Sequence, residues 1–251
     1  MSEVLTEIAG VKLPVTAAAA AVAVVVLILF MTWWVIDRKK RTGKPLHAGM
    51  LMNGIGFGVL PAMAVWKAFE EIGSTRTGIA VIRPLPYIRW LSEDGFFVPC
   101  RIELAAALVC FAGICIWLIL RKEALPENGD LLMTGVCIWA VIRLVTEGFK
   151  VNYVVLYRYE SCAAMLICLA VWTVRRGRIR YMPRRMIADW LTAAVCTAMI
   201  IITMNGILTA GSEIGDLLVI TGSGLLMLTV ILLAGSDLRK TTPEPDRGGQ
   251  A

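Results

Sequence analysis

The chain holds a single histidine, His47, in 251 residues. That argues against a histidine-based metal centre, and no Cys/His cluster of zinc-ligand spacing replaces it. Cysteine occurs at positions 100, 110, 115, 137, 162, 168 and 196, but no two are spaced C-x-x-C. All but Cys100 fall within apolar runs, where cysteine packs as a small polarisable residue. Charge is scarce too, at 18% of residues, where an ordinary soluble domain has about 25%. The N-terminus carries Glu3 and Glu7 instead of the basic region of a cleaved signal, and no A-x-A site follows its apolar run before Trp33-Trp34. Gly54-x-Gly56-x-Gly58 has the wrong spacing for a nucleotide loop and no strand before it. Close helix packing through small residues explains it better. No internal repeat or pair of broken helices marks an alternating-access transporter.

What the chain has in quantity is apolar sequence: 58% of residues are hydrophobic, and the mean hydropathy is +0.73. Runs long enough for a ~20-residue transmembrane helix recur along its length. The expectation is an all-α, polytopic helical membrane protein with about seven transmembrane helices. The spans fall at about 14–36, 46–69, 100–120, 131–149, 160–174, 187–210 and 217–233 within one domain of residues 1–235. Trp33 and Trp34 suit an interfacial anchor at the end of the first span. Residues 236–251 are polar and proline-containing, and read as a disordered cytoplasmic tail.

The net charge of +6 is not a nucleic-acid signal, because the excess sits mainly in two short basic segments. These are Asp37–Pro45 and Arg175–Arg185. Placing them inside the cell, with the 121–130 connection, gives an external N-terminus and an internal C-terminus. The 70–99 connection is the longest between spans and carries Arg76, Arg83 and Arg89. A loop of that length is often functional.

One stretch stands apart. Residues 139–150 read Trp139-Ala140-Val141-Ile142-Arg143-Leu144-Val145-Thr146-Glu147-Gly148-Phe149-Lys150, closing an apolar run. Trp139, Arg143 and Glu147 share one helix stripe at i, i+4, i+8. A charge at the bilayer centre costs roughly 2.5–3.5 kcal/mol on insertion scales, so such residues face the protein interior or a wet cavity. Arg143 and Glu147 are close enough along the helix to pair, and intramembrane ionisable groups commonly mark substrate paths.

This stretch, with Val98-Pro99-Cys100-Arg101-Ile102-Glu103 before it, resembles the bacterial prolipoprotein diacylglyceryl transferases. In that family one helix opens with a Pro-Ser-Gln-Leu-Tyr-Glu-like motif, and the next carries Tyr-Gly-x-x-Arg-Phe-x-x-Glu-Phe-x-Arg. Arg143 and Glu147 match the family's essential arginine and glutamate in spacing. Trp139 stands where the family has tyrosine, and His47-Ala48-Gly49 is similar to its His-Gly-Gly. The family's Gly-Arg-x-Gly-Asn-Phe signature has no counterpart, leaving Arg76, Arg83 and Arg89 as candidates for its second arginine. The resemblance covers about a fifth of the chain well.

The resemblance implies a multi-pass enzyme of the bacterial plasma membrane. Such an enzyme moves a diacylglyceryl group from phosphatidylglycerol to the lipobox cysteine of a secreted lipoprotein precursor. No metal or soluble cofactor is implied, and no nucleic acid. Arginine's planar fork suits a phosphate, so Arg143 is the expected clamp and Glu147 its orienting partner. His47, with an unperturbed pKa near neutrality, is the candidate general base. Trp139, Arg101 and Glu103 are the expected substrate contacts. A catalytically silent relative, acting as a membrane scaffold or as a lipid- or precursor-binding protein, is the alternative.

Overall fold

The computed structural model describes residues 4–8, 11–43, 45–72, 92–93, 96–120, 129–147, 155–177, 183–205 and 213–241. Among them are seven helices: α1 (Val15–Thr42), α2 (Ala48–Ile72), α3 (Pro99–Leu120), α4 (Asp130–Thr146), α5 (Val155–Gly177), α6 (Pro183–Met204) and α7 (Glu213–Thr241). Five of these, α1, α2, α3, α6 and α7, are long and apolar enough to cross a membrane. This is a multi-pass membrane protein. The other two differ for physical reasons. With 17 residues, α4 is shorter than the ~20 a free span needs. α5 carries Arg158 and Glu160 in its first turns.

Two antiparallel ladders accompany the helices, β1 (Val4–Ile8) with β2 (Val11–Pro14) and β3 (Ser92–Glu93) with β4 (Phe96–Phe97). The all-helical expectation did not include them. Several helix ends also differ from the expected spans. α1 runs six residues past Ile36 into the basic segment and stops at Gly43, whose φ of 64° is left-handed and whose N–H donates to Lys39 O at 3.0 Å. Glycine takes that conformation without a Cβ penalty. α5 begins at Val155, ahead of the expected start at Glu160, and so brings Tyr157 and Arg158 into helix. α7 continues to Thr241, where a disordered tail was expected from Ser236.

The centre of the bundle is α2 and α4. α2 packs on α1, α3 and α4, and 56% of its membrane window is buried, against 17–28% for the other four spans. α4 contacts α2, α3, α5 and α7 and forms the wall between two cores. Leu131 and Ile142 of α4 face Phe57, Leu60, Ala107 and Ile114 on one side. Cys137, Val141 and Leu144 face Met165, Leu169, Ile200 and Met227 on the other. None of the seven cysteines is in a disulfide.

The glycine series of α2 serves both of its neighbours. A Cβ on Gly54 would meet Met31 of α1 at 3.0 Å, and one on Gly58 would meet Leu27 at 2.8 Å. These two glycines are one turn apart and let α1 approach, the small-xxx-small arrangement. Gly56 points the other way. A Cβ there would run into the backbone of Leu131 and Leu132, and one on Gly135 would lie 2.8 Å from Gly56 O. The two central helices therefore cross in backbone contact.

Phe57 anchors the first core among Phe30, Trp33, Trp34 and Phe111, at ring separations of 5.2–5.8 Å. Of the tryptophan pair expected as an interfacial anchor, only Trp33 stays exposed. Trp34 turns inward, with the Arg38 guanidinium 4.7 Å from its ring.

Candidate functional site

Ionisable side chains converge at the end of the bundle where α2 and α4 finish and α3 and α5 begin. Lys67, in the last turns of α2, places Nζ 2.6 Å from Oε2 of Glu103 in the first turns of α3. Glu103 is completely buried, and Lys67 is nearly so. Thr146 at the end of α4 donates from Oγ1 to Glu103 Oε1 at 2.7 Å. The carboxylate thus has a cation on one oxygen and a hydroxyl on the other. Desolvating an ion pair costs several kcal/mol per ion, and only good geometry with added hydrogen bonds offsets it. Glu147 follows directly as the C-cap of α4, its N–H directed at Arg143 O and Val145 O, and its side chain is buried.

One turn below Thr146, Arg143 takes a different partner from the one its spacing suggested. Its Nη1 lies 3.2 Å from Glu160 Oε2, and its guanidinium stands 4.0 Å from the centre of the Tyr157 ring. Both partners belong to α5. Arg143 and Glu147 share the stripe, yet the arginine reaches sideways and does not pair with the glutamate one turn on. Arg158, also in the first turn of α5, is buried in the same layer. The Arg143–Glu160 pair is 30% and 49% exposed, so it contributes little to stability, roughly 0–1 kcal/mol. Glu160→Gln is accordingly expected to leave the thermal midpoint nearly unchanged in a melting experiment.

The other expected site residues are distributed as follows. Arg101 lies half-buried in the first turn of α3, two residues before Glu103. Trp139 packs against the first core, one turn before Arg143. His47 precedes α2, with Nδ1 3.1 Å from Pro45 O. Lys67 lies nineteen residues along α2 from Ala48, about 28 Å at 1.5 Å per residue, so His47 sits at the opposite end of the bundle. Arg76, Arg83 and Arg89, together with Gly148, Phe149 and Lys150, lie outside the described residues. Lys67, Thr146, Tyr157, Arg158 and Glu160 were not among the expected site residues. Lys67 had a usable signal, a lone cation between Trp66 and Phe69 in an otherwise apolar run.

The opposite end has its own polar contacts. Asn53 Oδ1 accepts the Leu131 N–H at 3.0 Å, capping α4 from a neighbouring helix. Asp130 Oδ1 lies 3.1 Å from Arg175 Nη1 at the end of α5. Among the described residues no group of three or more His, Cys, Asp and Glu side chains is placed to hold a metal ion.

Between the two polar ends runs a crevice of about 630 Å³. Its floor is α4 from Asp130 to Thr146, about 24 Å long at 1.5 Å per residue. Its sides are α3, through Ile102, Ala106, Gly113 and Trp117, and α7, through Thr221, Leu225 and Leu232. Both side helices pack on α4 but meet one another marginally at most, so among the described residues the crevice is open between α3 and α7. The lining is apolar except near the ends, where Thr146 stands at one and Asn53, Asp130 and Thr134 at the other, and for Thr221 on α7. No family model, curated protein or solved structure matches the chain.

Proposed function

We propose that the protein is a lipid-dependent transferase of the bacterial plasma membrane, related to the prolipoprotein diacylglyceryl transferases. The crevice carries this reading. It opens sideways between two helices long enough to span the bilayer, and it ends at Thr146, beside the layer that holds Arg143, Glu103 and Glu147. A lipid can enter such a site without leaving the membrane. Lys39, Lys40 and Arg41 end α1, whose Trp34 lines the crevice together with Asp130. The positive-inside rule puts that end in the cytoplasm and the Lys67 end outside, with the N-terminus external and the C-terminus internal.

In this reading the phosphate of phosphatidylglycerol binds Arg143, displacing Glu160, through the paired N–H bonds a guanidinium offers. The lipobox cysteine of a secreted precursor attacks as thiolate. A bond forms from sulfur to the glyceryl carbon, the carbon–oxygen bond to phosphate breaks, and glycerol phosphate leaves. His47 is too distant to take the thiol proton. We assign that step to Glu147, whose buried side chain stands one turn beyond Arg143 at the end of α4. Complementation of a strain depleted of its own diacylglyceryl transferase tests this. Wild type is expected to restore growth and precursor maturation, and Arg143→Ala and Glu147→Ala to abolish both.

One observation favours a second reading, a catalytically silent relative that binds lipid or precursor. Arg143 already has a carboxylate and an aromatic face as partners. A correctly inserted wild type that fails to complement, and whose headgroup binding does not change in Glu160→Gln, would establish that reading in place of the first.

A further inference from the structure

We infer that the crevice holds a lipid hydrocarbon chain straight along α4 and that its depth, which reaches Trp117, sets the chain length it takes. The inference rests on the lipid-handling reading for the identity of the occupant but not on turnover. Three features of the crevice carry it. It opens to the side, at the level of the spanning helices, where hydrocarbon is the surrounding medium. Its walls are apolar between the polar ends, apart from Thr221, so it offers nothing to a headgroup midway. Its floor is about 24 Å long at 1.5 Å per residue, whereas one leaflet of hydrocarbon is only about 15 Å thick. A chain that fills it must therefore lie more extended than its neighbours in the bilayer.

The headgroup belongs at the Thr146 end. At the other end the polar atoms serve the fold, because Asn53 caps α4 and Asp130 holds Arg175. Trp117 and Trp34 line the crevice there.

Gly113 offers a clean way to plug it. It lines the crevice, and a Cβ built on it meets nothing within 4 Å. It lies about 16 Å along α3 from Ile102 at 1.5 Å per residue, so a leucine there blocks only the far part. Gly222 on α7 also has open space beyond its Cβ but does not line the crevice, which makes Gly222→Leu the matched control.

The experiment places the full-length protein in phosphatidylglycerol vesicles with trace phosphatidylglycerol bearing a chain-terminal diazirine, in palmitoyl and octanoyl versions. Photolabelled peptides are then mapped by mass spectrometry. The palmitoyl probe is expected to label near Trp117 and the octanoyl probe nearer Ala106. Gly113→Leu should lose the Trp117 label and keep the one near Ala106, while Gly222→Leu keeps both. Leu225→Trp, at a half-exposed lining position on α7, tests the same point should Gly113→Leu not insert. A diazirine fatty acid run in parallel shows whether a single-chain amphiphile takes the seat as well as one tail of a phospholipid. Equal labelling of the outward faces of α1 and α6, or a Trp117 label that survives both plugs, would overturn the inference. Loss of transferase activity alone would not touch it.

Discussion

Lys67→Met is expected to destabilise the protein by about 3–5 kcal/mol, the usual range for breaking a buried ion pair on one side only. The reason is the state of Glu103, not the loss of Lys67 itself. Glu103 is fully buried, and its two oxygens face Lys67 Nζ and Thr146 Oγ1. Without the ammonium, a carboxylate remains in a low-dielectric site without that counter-charge. The single substitution thus strands a buried charge. Replacing both partners avoids this, because a neutral pair of similar volume is often tolerated or even stabilising. Lys67→Met combined with Glu103→Gln should therefore recover most of the lost stability. Unfolding in a graded detergent–denaturant mixture measures both variants. A double mutant as unstable as the single would show that Lys67 acts through packing and not through charge.

Gly56→Leu should be comparably damaging, for a different reason. The Cβ alone has no room against the backbone of Leu131 and Leu132, and backbone cannot rotate away as a side chain can. Overpacking in a well-packed core typically costs about 1–3 kcal/mol, and here the two central helices would have to separate. Separation would also pull Asn53 from the Leu131 N–H and uncap α4, which adds about 1 kcal/mol. Gly56→Ala should show a smaller loss in the same direction. Gly113→Ala, where the Cβ meets open space, should show almost none. Thermal melting of the four proteins side by side gives the ranking, and equal midpoints for Gly56→Leu and wild type would contradict the close crossing.

The helices were legible in the sequence because a long apolar run is a strong signal in a chain that must satisfy its backbone inside lipid. The small-residue packing of α2 was legible for the same reason, though not that Gly54 and Gly58 would face one helix and Gly56 another. The limits were tertiary. The i, i+4 spacing of Arg143 and Glu147 permits a pair, but the arginine is long enough to choose between its own helix and α5. It finds Glu160 and Tyr157 there because α5 starts at Val155, earlier than its apolar run suggested. Lys67 and Glu103 are 36 positions apart in the chain. Nothing local to either announces the other. The crevice is further still from the sequence, because it exists only where α3 and α7 both rest on α4 without closing on each other.

His47 shows the same limit in reverse. Its chemistry made it the natural base, yet α2 carries it to the end of the bundle away from Arg143. Composition identified the residue type, while the basic 37–45 segment just before it had already placed it toward the cytoplasmic face.

The most direct measurement is transfer in a defined system. Purified protein in phosphatidylglycerol vesicles is given a lipobox-cysteine peptide, and glycerol phosphate release and peptide mass are followed together. The account predicts stoichiometric release with a diacylglyceryl mass on the cysteine, and loss of both in Arg143→Ala. Well-inserted wild type that binds the lipid and releases no glycerol phosphate would contradict it.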